Sequence, residues 1–529
     1  MFKKYPLGDD LVSDTIKKIT IIGGGTAGWL TAGVIAAEHM ANSVDGIEVT
    51  LIESPDVNPI GVGEGTWPTM RGTLKKMGVS ETDFIRECDA SFKQGALFAK
   101  WVTAEEDDAY YHPLVLPQGY AEINLAPYWQ GLSANKSFAD TVSFQGYLCE
   151  SGLAPKQNTT PEFAHVANYA YHLDAGKFAI FLQKHCVGKL GVKHILDHVE
   201  CVNSASNGDI ASVKTKLNGD VEGDLFIDCT GFSSLLLGKH FQIPFVSKKH
   251  ILFNDSALAV QVPYETDKSP IASHTISTAQ SAGWIWDIGL PSRRGIGHVY
   301  SSAHCNDEEA EKSLRQYIEQ TNGTIAKDAQ LKKITFEPGH RALFWHKNCV
   351  AVGLSAGFLE PLEASALVLV ELSAAMISEQ LPATRSVMDI VAKRFNDKFL
   401  YRWDRIIDFL KLHYVLTKRT DSLYWRDNCN SESIPDELEA MLSLWKHHSP
   451  WHQDFTQVDE VFPSASYQYV LYGMGFKTDA SQTARKTNNP NLANQNFMLN
   501  EQITRKLLMG LPSNRDLINK IHQFGLQKI

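Results

Sequence analysis

The stretch Lys18-Ile19-Thr20-Ile21-Ile22-Gly23-Gly24-Gly25-Thr26-Ala27-Gly28-Trp29 decides the fold. Its first five residues read as a parallel strand buried on both faces. The strand runs into G-x-G-x-x-G at Gly23, Gly25 and Gly28. The small residues Ala32, Gly33, Ala36 and Ala37 then predict a closely packed helix over 27–42. A second strand, Glu48-Val49-Thr50-Leu51-Ile52, ends in Glu53, 25 residues beyond Gly28. In this βαβ setting the first glycine permits the tight turn, the second lets a pyrophosphate approach the backbone, and the third seats helix on strand. The helix N-terminus faces the phosphate charge, and a carboxylate at the end of the second strand can bind a ribose hydroxyl.

Two later strand-to-turn segments return to this nucleotide fold. Asp224-Leu225-Phe226-Ile227-Asp228-Cys229-Thr230-Gly231 resembles the A-T-G turn of flavoproteins, which favours FAD over NAD. Cys349-Val350-Ala351-Val352-Gly353-Leu354-Ser355-Ala356-Gly357 resembles their final G-D motif, with Ser355 where many have Asp. The α/β module is therefore expected to be discontinuous, with short strands, turns and aromatic-rich loops inserted up to about residue 345 and no sequence repeat. From Val387 onward, Ile390, Val391, Phe395, Phe399, Trp403, Ile406, Ile407 and Leu410 recur at threes and fours, which predicts helices. The expected division is an FAD-binding module with inserted sheet over 1–380 and a helical substrate cap over 381–529. The polar, Asn-rich stretch 481–500 reads as a long surface loop, and 513–524 as a short closing helix.

Composition bounds the partners. With 43% hydrophobic and 21% charged residues, the 529-residue chain has the balance of an ordinary globular protein. Its net charge of -10 argues against nucleic acid, which demands a basic footprint. No run reaches the roughly 18–20 apolar residues of a membrane span; the most apolar, 364–377, carries Glu371. The N-terminus shows no apolar signal core, and the eight cysteines have neither C-x-x-C nor metal spacing. These features point to a cytoplasmic protein with reduced thiols and no metal site.

Five segments, in order and spread over about residues 18 to 430, carry a resemblance. Gly23-Gly24-Gly25-Thr26-Ala27-Gly28-Trp29 is similar to the opening of the flavin-dependent tryptophan halogenases. Ile60-Gly61-Val62-Gly63-Glu64-Gly65-Thr66 resembles the strap beside their flavin. Glu87-Cys88-Asp89-Ala90-Ser91-Phe92-Lys93, with Phe98 and Trp101 beyond it, resembles the segment carrying their active-site lysine. Gly283-Trp284-Ile285-Trp286-Asp287-Ile288 resembles their W-x-W-x-I-P signature, except that Gly289 stands where the proline is usual. Gly357-Phe358-Leu359-Glu360-Pro361-Leu362-Glu363-Ala364-Ser365 is similar to their glutamate segment.

The resemblance implies an FAD-binding Rossmann-like fold of the GR2/PHBH-type, monooxygenase-like kind, under a mostly helical C-terminal cap. It implies FAD, used as FADH2, held by Gly23, Gly25, Thr26, Ala27, Gly28, Glu53, Ile60, Val62, Gly63, Glu64, Gly231, Gly353, Leu354, Gly357 and Leu367. In the family, reduced flavin and oxygen convert a halide ion (chloride or bromide) into hypohalous acid, which travels to a separate substrate pocket. Lys93 would hold it there for attack by an electron-rich aromatic ring, and Glu363 would orient the lysine or take the proton the ring loses. The amides of Ser365 and Ala366 would bind halide, although the family usually has glycine at the second position. Trp284 and Trp286 would line the passage, and Gly289 predicts a more flexible backbone there.

For the substrate, the family's tyrosine pair and downstream acid align on Tyr467 and Gln468, with no carboxylate before Asp479. An ammonium without an acid partner loses a charge-assisted contact, so a plain indole, a substituted indole or an indole carried on a larger molecule is at least as well suited as free tryptophan. Tyr467 and His413, with Tyr414 and Trp425, are the substrate-pocket candidates. A separate NADH-dependent flavin reductase and a homodimer are implied by the resemblance. An aromatic hydroxylase of the same fold and a non-catalytic flavin-binding relative remain as alternatives.

Overall fold

The computed structural model describes residues 15–56, 63–132, 136–325, 328–479, 481, 485 and 488–528. The βαβ start forms as its pattern requires, with strand Lys18–Ile22, helix Thr26–Glu38 and strand Glu48–Glu53. The helix stops at Glu38, short of the expected end, and a turn over 39–46 leads to the second strand. Lys18–Ile22 pairs in parallel with Glu48–Glu53 on one side and with Leu225–Asp228 on the other. The strand Cys349–Ala351 then pairs in parallel with Leu225–Asp228, so the three strand-to-turn segments share one sheet. Lys193–Leu196 and the antiparallel pair member Trp345–His346 complete its six strands at the two edges.

A seven-stranded mixed sheet fills the middle of the chain, with Gly283–Gly289 between Arg293–Tyr300 and Thr275–Gln280. Gly95–Ala99 extends it by pairing in parallel with Thr275–Gln280, and Ala109–Pro113 closes that edge. A small antiparallel sheet joins the two halves of the site. Its central strand, Ala170–Asp174, carries Gly63–Gly65 on one side and Ser91–Lys93 on the other.

After Ser365 the described chain is helical. Helix Ser365–Glu379 lies on Thr26–Glu38, and Arg385–Val415 follows as 31 residues, about 46 Å at the usual rise. Shorter helices Leu423–Asn428, Asp436–Trp445 and Ser464–Gly473 precede Pro490–Gly510 and Asn514–Phe524. The structure corrects the expectation of a loop through 481–500, because from Pro490 onward the segment is helix. Asn489 caps it by accepting from the Leu492 amide, and Pro490 occupies the first helical position, where no N–H is needed. Its inward face is Ala493, Asn496, Asn500, Thr504 and Leu507. Asn496 donates to the Leu492 carbonyl, and Asn500 reaches the carbonyls of Asp140 and Thr141. A hydrophobicity count misses a helix whose buried stripe is largely small and polar.

One continuous core of buried hydrophobic residues runs from Ile16 to Leu526 and includes both large sheets and the helix Arg385–Val415. Among the described residues, no helix is long and apolar enough to cross a membrane.

Candidate active site

A cavity of about 570 Å³ opens along the glycine turn and runs to the Lys93 and Glu363 side chains. Its size is within the usual range of cofactor pockets. The glycines divide their roles as the spacing predicts. Gly23 has φ +113°, and a Cβ on it would lie 2.1 Å from the Cys229 carbonyl oxygen. A Cβ on Gly28 would lie 1.9 Å from the Gly23 oxygen. Gly24 is constrained as well, since a Cβ there would meet the Glu53 carboxyl carbon at 2.2 Å. Gly25 alone of these four has nothing within 4 Å; it faces open cavity at the N-terminus of helix Thr26–Glu38. No side chain caps that helix end. An amide-lined cradle of this kind fits a pyrophosphate, so the residues suit a dinucleotide such as FAD.

The rest of the expected cofactor set is placed on the same walls. Thr26, Ala27, Glu53, Gly63, Glu64, Gly231, Gly353, Leu354, Gly357 and Leu367 all line the cavity. Ile60 and Val62 lie outside the described residues. Glu53 sits 3.0 Å from the His194 ring nitrogen. Burial and the nearby Asp174 raise the Glu64 carboxyl to about 7. Asp228 explains the local turn, because its Oδ2 accepts the amides of Leu236 and Leu237 while Oδ1 accepts from Thr230. Ser355, at the position where Asp is common, donates its hydroxyl to the Asp228 and Val352 carbonyls.

Lys93 is at the end of strand Ser91–Lys93, where side chains alternate between faces. Phe92 turns into the core against Tyr169 and Tyr171, and Ser91 donates to the Gly289 carbonyl at 2.6 Å. Lys93 is 3% exposed. Its Nζ donates to the Thr66 carbonyl at 3.4 Å, and it forms no ion pair among the described residues. Burial lowers its pKa to about 8, with the Glu363 charge partly offsetting that. A Cβ on Gly65 would stand 3.3 Å from both Lys93 Nζ and Ala364 Cβ. The strap strand, the lysine strand and the glutamate turn therefore converge on one point.

Glu363 and Ala364 have φ of 62° and 57°, consecutive left-handed residues without being glycine. Such positions cost about 1–3 kcal/mol each and collect at functional sites. The Trp67 indole holds the turn by donating to the Glu363 carbonyl at 2.7 Å. The Glu363 Oε1 takes contacts from His112 Nδ1 at 2.8 Å and His413 Nε2 at 3.2 Å. Burial pushes this carboxyl up, but the two histidines outweigh it and hold it well below the usual carboxylate range. Ser365 and Ala366 open the next helix, which also lacks a side-chain cap, and both line the cavity. Their amides are the first-turn donors that a helix leaves unsatisfied.

Trp284 and Trp286 both line the cavity. Gly297, opposite Trp286 in register, makes room for it: a Cβ there would strike the indole at 2.1 Å. Trp284 Nε1 donates to Glu360 Oε2 at 2.7 Å. Gly289 is the last residue of a fully buried strand, paired opposite Arg294, and its carbonyl accepts from the Ser91 hydroxyl.

Of the substrate candidates, His413 is turned to Glu363. Tyr467 is packed against Phe409, Trp445 and Phe455 and does not line the large cavity. Sequence reasoning missed His112, whose other ring nitrogen lies 3.0 Å from the Ser466 hydroxyl, and Glu360 with its three donors. Alternation along Ala109–Pro113 could have placed His112 inward beside Tyr110, but nothing local says what it meets. Among the described residues no group of three or more His, Cys, Asp or Glu could hold a metal ion.

Known proteins resemble this chain in sequence and fold. The tryptophan halogenase family profile matches residues 18–489. A tryptophan 6-halogenase of Streptomyces toxytricini is 32% identical over 517 residues, covering 94% of this chain and 96% of its own. A tryptophan 7-halogenase of Lentzea aerocolonigenes is 31% identical over 543 residues, covering 97% and 100%. The crystal structure of a tryptophan halogenase from Shewanella frigidimarina NCIMB 400 superposes with a TM-score of 0.93 at 49% identity, covering 97% of this chain and 99% of that one. Fold and sequence agree: the chain belongs to the flavin-dependent tryptophan halogenase family of oxidoreductases.

Proposed function

We propose that this enzyme halogenates an indole ring, that of tryptophan or of an indole compound, using FADH2, oxygen and chloride or bromide. One observation carries the reading. Lys93, buried without an ion pair, and Glu363, clamped by two histidines, stand on the wall of the cavity that begins at the glycine turn. When bound, reduced flavin would supply the oxidising power that turns halide into hypohalous acid. The protein's own contribution is placement. The amides of Ser365 and Ala366 hold the halide, and the paired tryptophans wall the passage and keep the ring away from the flavin. Lys93 receives the hypohalous acid and presents the halogen to the ring, donating from Nζ to the leaving hydroxide. Glu363, kept ionised by His112 and His413, accepts the proton lost as the ring regains aromaticity. A separate NADH-dependent flavin reductase supplies FADH2.

The test is mass spectrometry of a reaction holding indole, tryptophan, FAD, a flavin reductase, NADH, air and bromide or chloride. A product with the halogen isotope pattern supports the reading and selects the substrate. A product heavier by one oxygen and formed without halide would replace it with a hydroxylase. Bound flavin with no product across a broad indole panel would point to a non-catalytic relative.

A further inference from the structure

Behind Trp286 and Trp284, which line the cavity, an unbroken run of electron-rich rings continues into the buried core. The centroids of Trp286 and Trp284 are 6.5 Å apart, and those of Trp284 and Trp101 6.4 Å. Trp101 in turn meets Tyr414 at 5.2 Å and Trp425 at 5.7 Å, and those two are 5.9 Å from each other. Trp425 is itself fully buried, but its short helix reaches the surface: Leu423 is 58% exposed, and Cys429, just after the helix, is exposed too. Packing needs bulk, which phenylalanine or leucine would supply equally well. Tryptophan and tyrosine differ from them in giving up one electron far more readily, and ring-to-ring contact is well within the reach of electron tunnelling.

The hydrogen bonds along this run match that chemistry. Oxidation makes an indole N–H or phenol O–H strongly acidic, so a stable hole requires a proton acceptor. Glu360 is such an acceptor for two of the rings: its Oε2 takes Trp284 Nε1 at 2.7 Å and Tyr414 OH at 2.8 Å, with Asn254 Nδ2 at 2.6 Å. Its Oε1 is buried with no hydrogen-bond partner, leaving a free site for the transferred proton. Trp101 and Trp425 donate to the carbonyls of Ser277 and Gln280, each at 2.9 Å.

We propose that Trp286, Trp284, Trp101, Tyr414 and Trp425 form a one-electron relay leading from a flavin in the cavity toward the surface at Leu423 and Cys429, with Glu360 as its proton acceptor. The relay rests on the flavin reading above. Its oxidant is light-excited oxidised flavin. One electron leaves Trp286 for the flavin, which is reduced by one electron as the indole is oxidised by one. Electrons then pass inward in turn from Trp284, from Trp101 and from Tyr414 or Trp425, so the hole moves outward. While the hole is on Trp284 or Tyr414, the ring proton moves to Glu360. Ascorbate in solution closes the balance by returning one electron to the outermost ring. The relay gives a cavity that handles oxygen and flavin an outlet for stray one-electron oxidation, away from Lys93.

The experiment uses the protein loaded with oxidised FAD, anaerobically, with occupancy first confirmed by the visible flavin band. Transient absorption after a blue flash follows the flavin and the aromatic radicals. The expected result is a long-lived separated charge in the wild type, with ascorbate converting it to net flavin bleaching under steady light. Trp101→Phe should recombine promptly and lose the net bleaching, and Trp425→Phe should shorten the separation. A Trp101→Phe protein as long-lived as wild type would overturn the relay. So would prompt recombination in the wild type, which decides the question even if the variants do not fold. Bound FAD with prompt recombination removes only the relay; failure to bind FAD removes the flavin reading and the relay together.

Discussion

The ring of His112 lies 2.8 Å from the carboxylate of Glu363, although 251 residues separate them. That contact, with His413 on the same oxygen, keeps a buried acid ionised where its surroundings would protonate it. His112→Phe leaves a ring of similar volume and removes the charge partner. Halogenation should fall by roughly ten- to a hundredfold, each factor of ten being about 1.4 kcal/mol of barrier. The acid limb of the pH–rate profile should move to higher pH, because a Glu363 carboxyl with one histidine gone titrates higher. A profile that drops in height without moving would assign His112 a packing role only.

Lys93→Ala should abolish halogenation, by more than about a hundredfold, while FAD binding is retained, as measured by flavin fluorescence alongside product formation. The side chain lies beyond the glycine cradle and touches Thr66, which is not part of it. A variant of normal activity would remove Lys93 from the mechanism.

The buried Lys93 ammonium loses its proton near 8 instead of 10.5, so the free amine grows as pH rises through about 8. If the amine is the form that captures halogen, the single-turnover rate with preformed hypohalous acid rises through that pH and levels off above it. Stability should move the same way. Between about 8 and 10.5 the unfolded chain binds this proton and the folded one does not, so unfolding becomes less favourable as pH rises across that window.

The glycine turn predicts opposite outcomes for neighbouring substitutions. Gly28→Ala forces a Cβ to within 1.9 Å of the Gly23 oxygen and should destabilise the fold by about 1–3 kcal/mol, read from denaturant midpoints. Gly25→Ala meets nothing within 4 Å and should melt normally, yet bind FAD more weakly, since its methyl group would project into the cradle. Equal stability losses in both would place Gly25 in packing.

Glu371 is buried within the helix Ser365–Glu379, accepting from Thr73 at 2.6 Å and Thr69 at 3.3 Å, and burial raises its carboxyl to about 8. The folded state therefore holds a proton that the unfolded chain releases above 4.5. The stability this confers is fully present below about 4.5 and is lost as pH rises through about 8. Glu371→Gln should flatten the fall in melting temperature across that window, with the largest gain at its alkaline end.

How far the sequence speaks depends on whether a residue's role is local. Gly23, Gly25 and Gly28 act within one strand, turn and helix, and their spacing states what each does; the parallel sheet that joins Lys18–Ile22, Leu225–Asp228 and Cys349–Ala351 follows from equally local patterns. Lys93 and Glu363 became legible only through the segments around them, since a lysine between Phe92 and Gln94 has no signature of its own. His112 and Glu360 were not legible, because each is defined by partners hundreds of residues away or on another sheet. The helix Pro490–Gly510 was hidden by a different effect: its buried face includes Asn496, Asn500 and Thr504, and Asn500 is satisfied by carbonyls at Asp140 and Thr141 that no pattern in the helix reveals.

The strand order of the six-stranded sheet also bears on how the chain comes off the ribosome. Lys18–Ile22 is central, yet one neighbour is Leu225–Asp228, and that strand in turn awaits Cys349–Ala351. The strand Lys18–Ile22 thus keeps one edge unpaired until residue 228 has been made, and Leu225–Asp228 keeps its own outer edge open until residue 351, two-thirds of the way along the polypeptide. Until then an apolar edge stays open to any passing strand, and a topology so rich in distant pairings folds slowly. Yield in a heterologous host should accordingly respond more to slowed translation and chaperone supply than to substitutions at the surface.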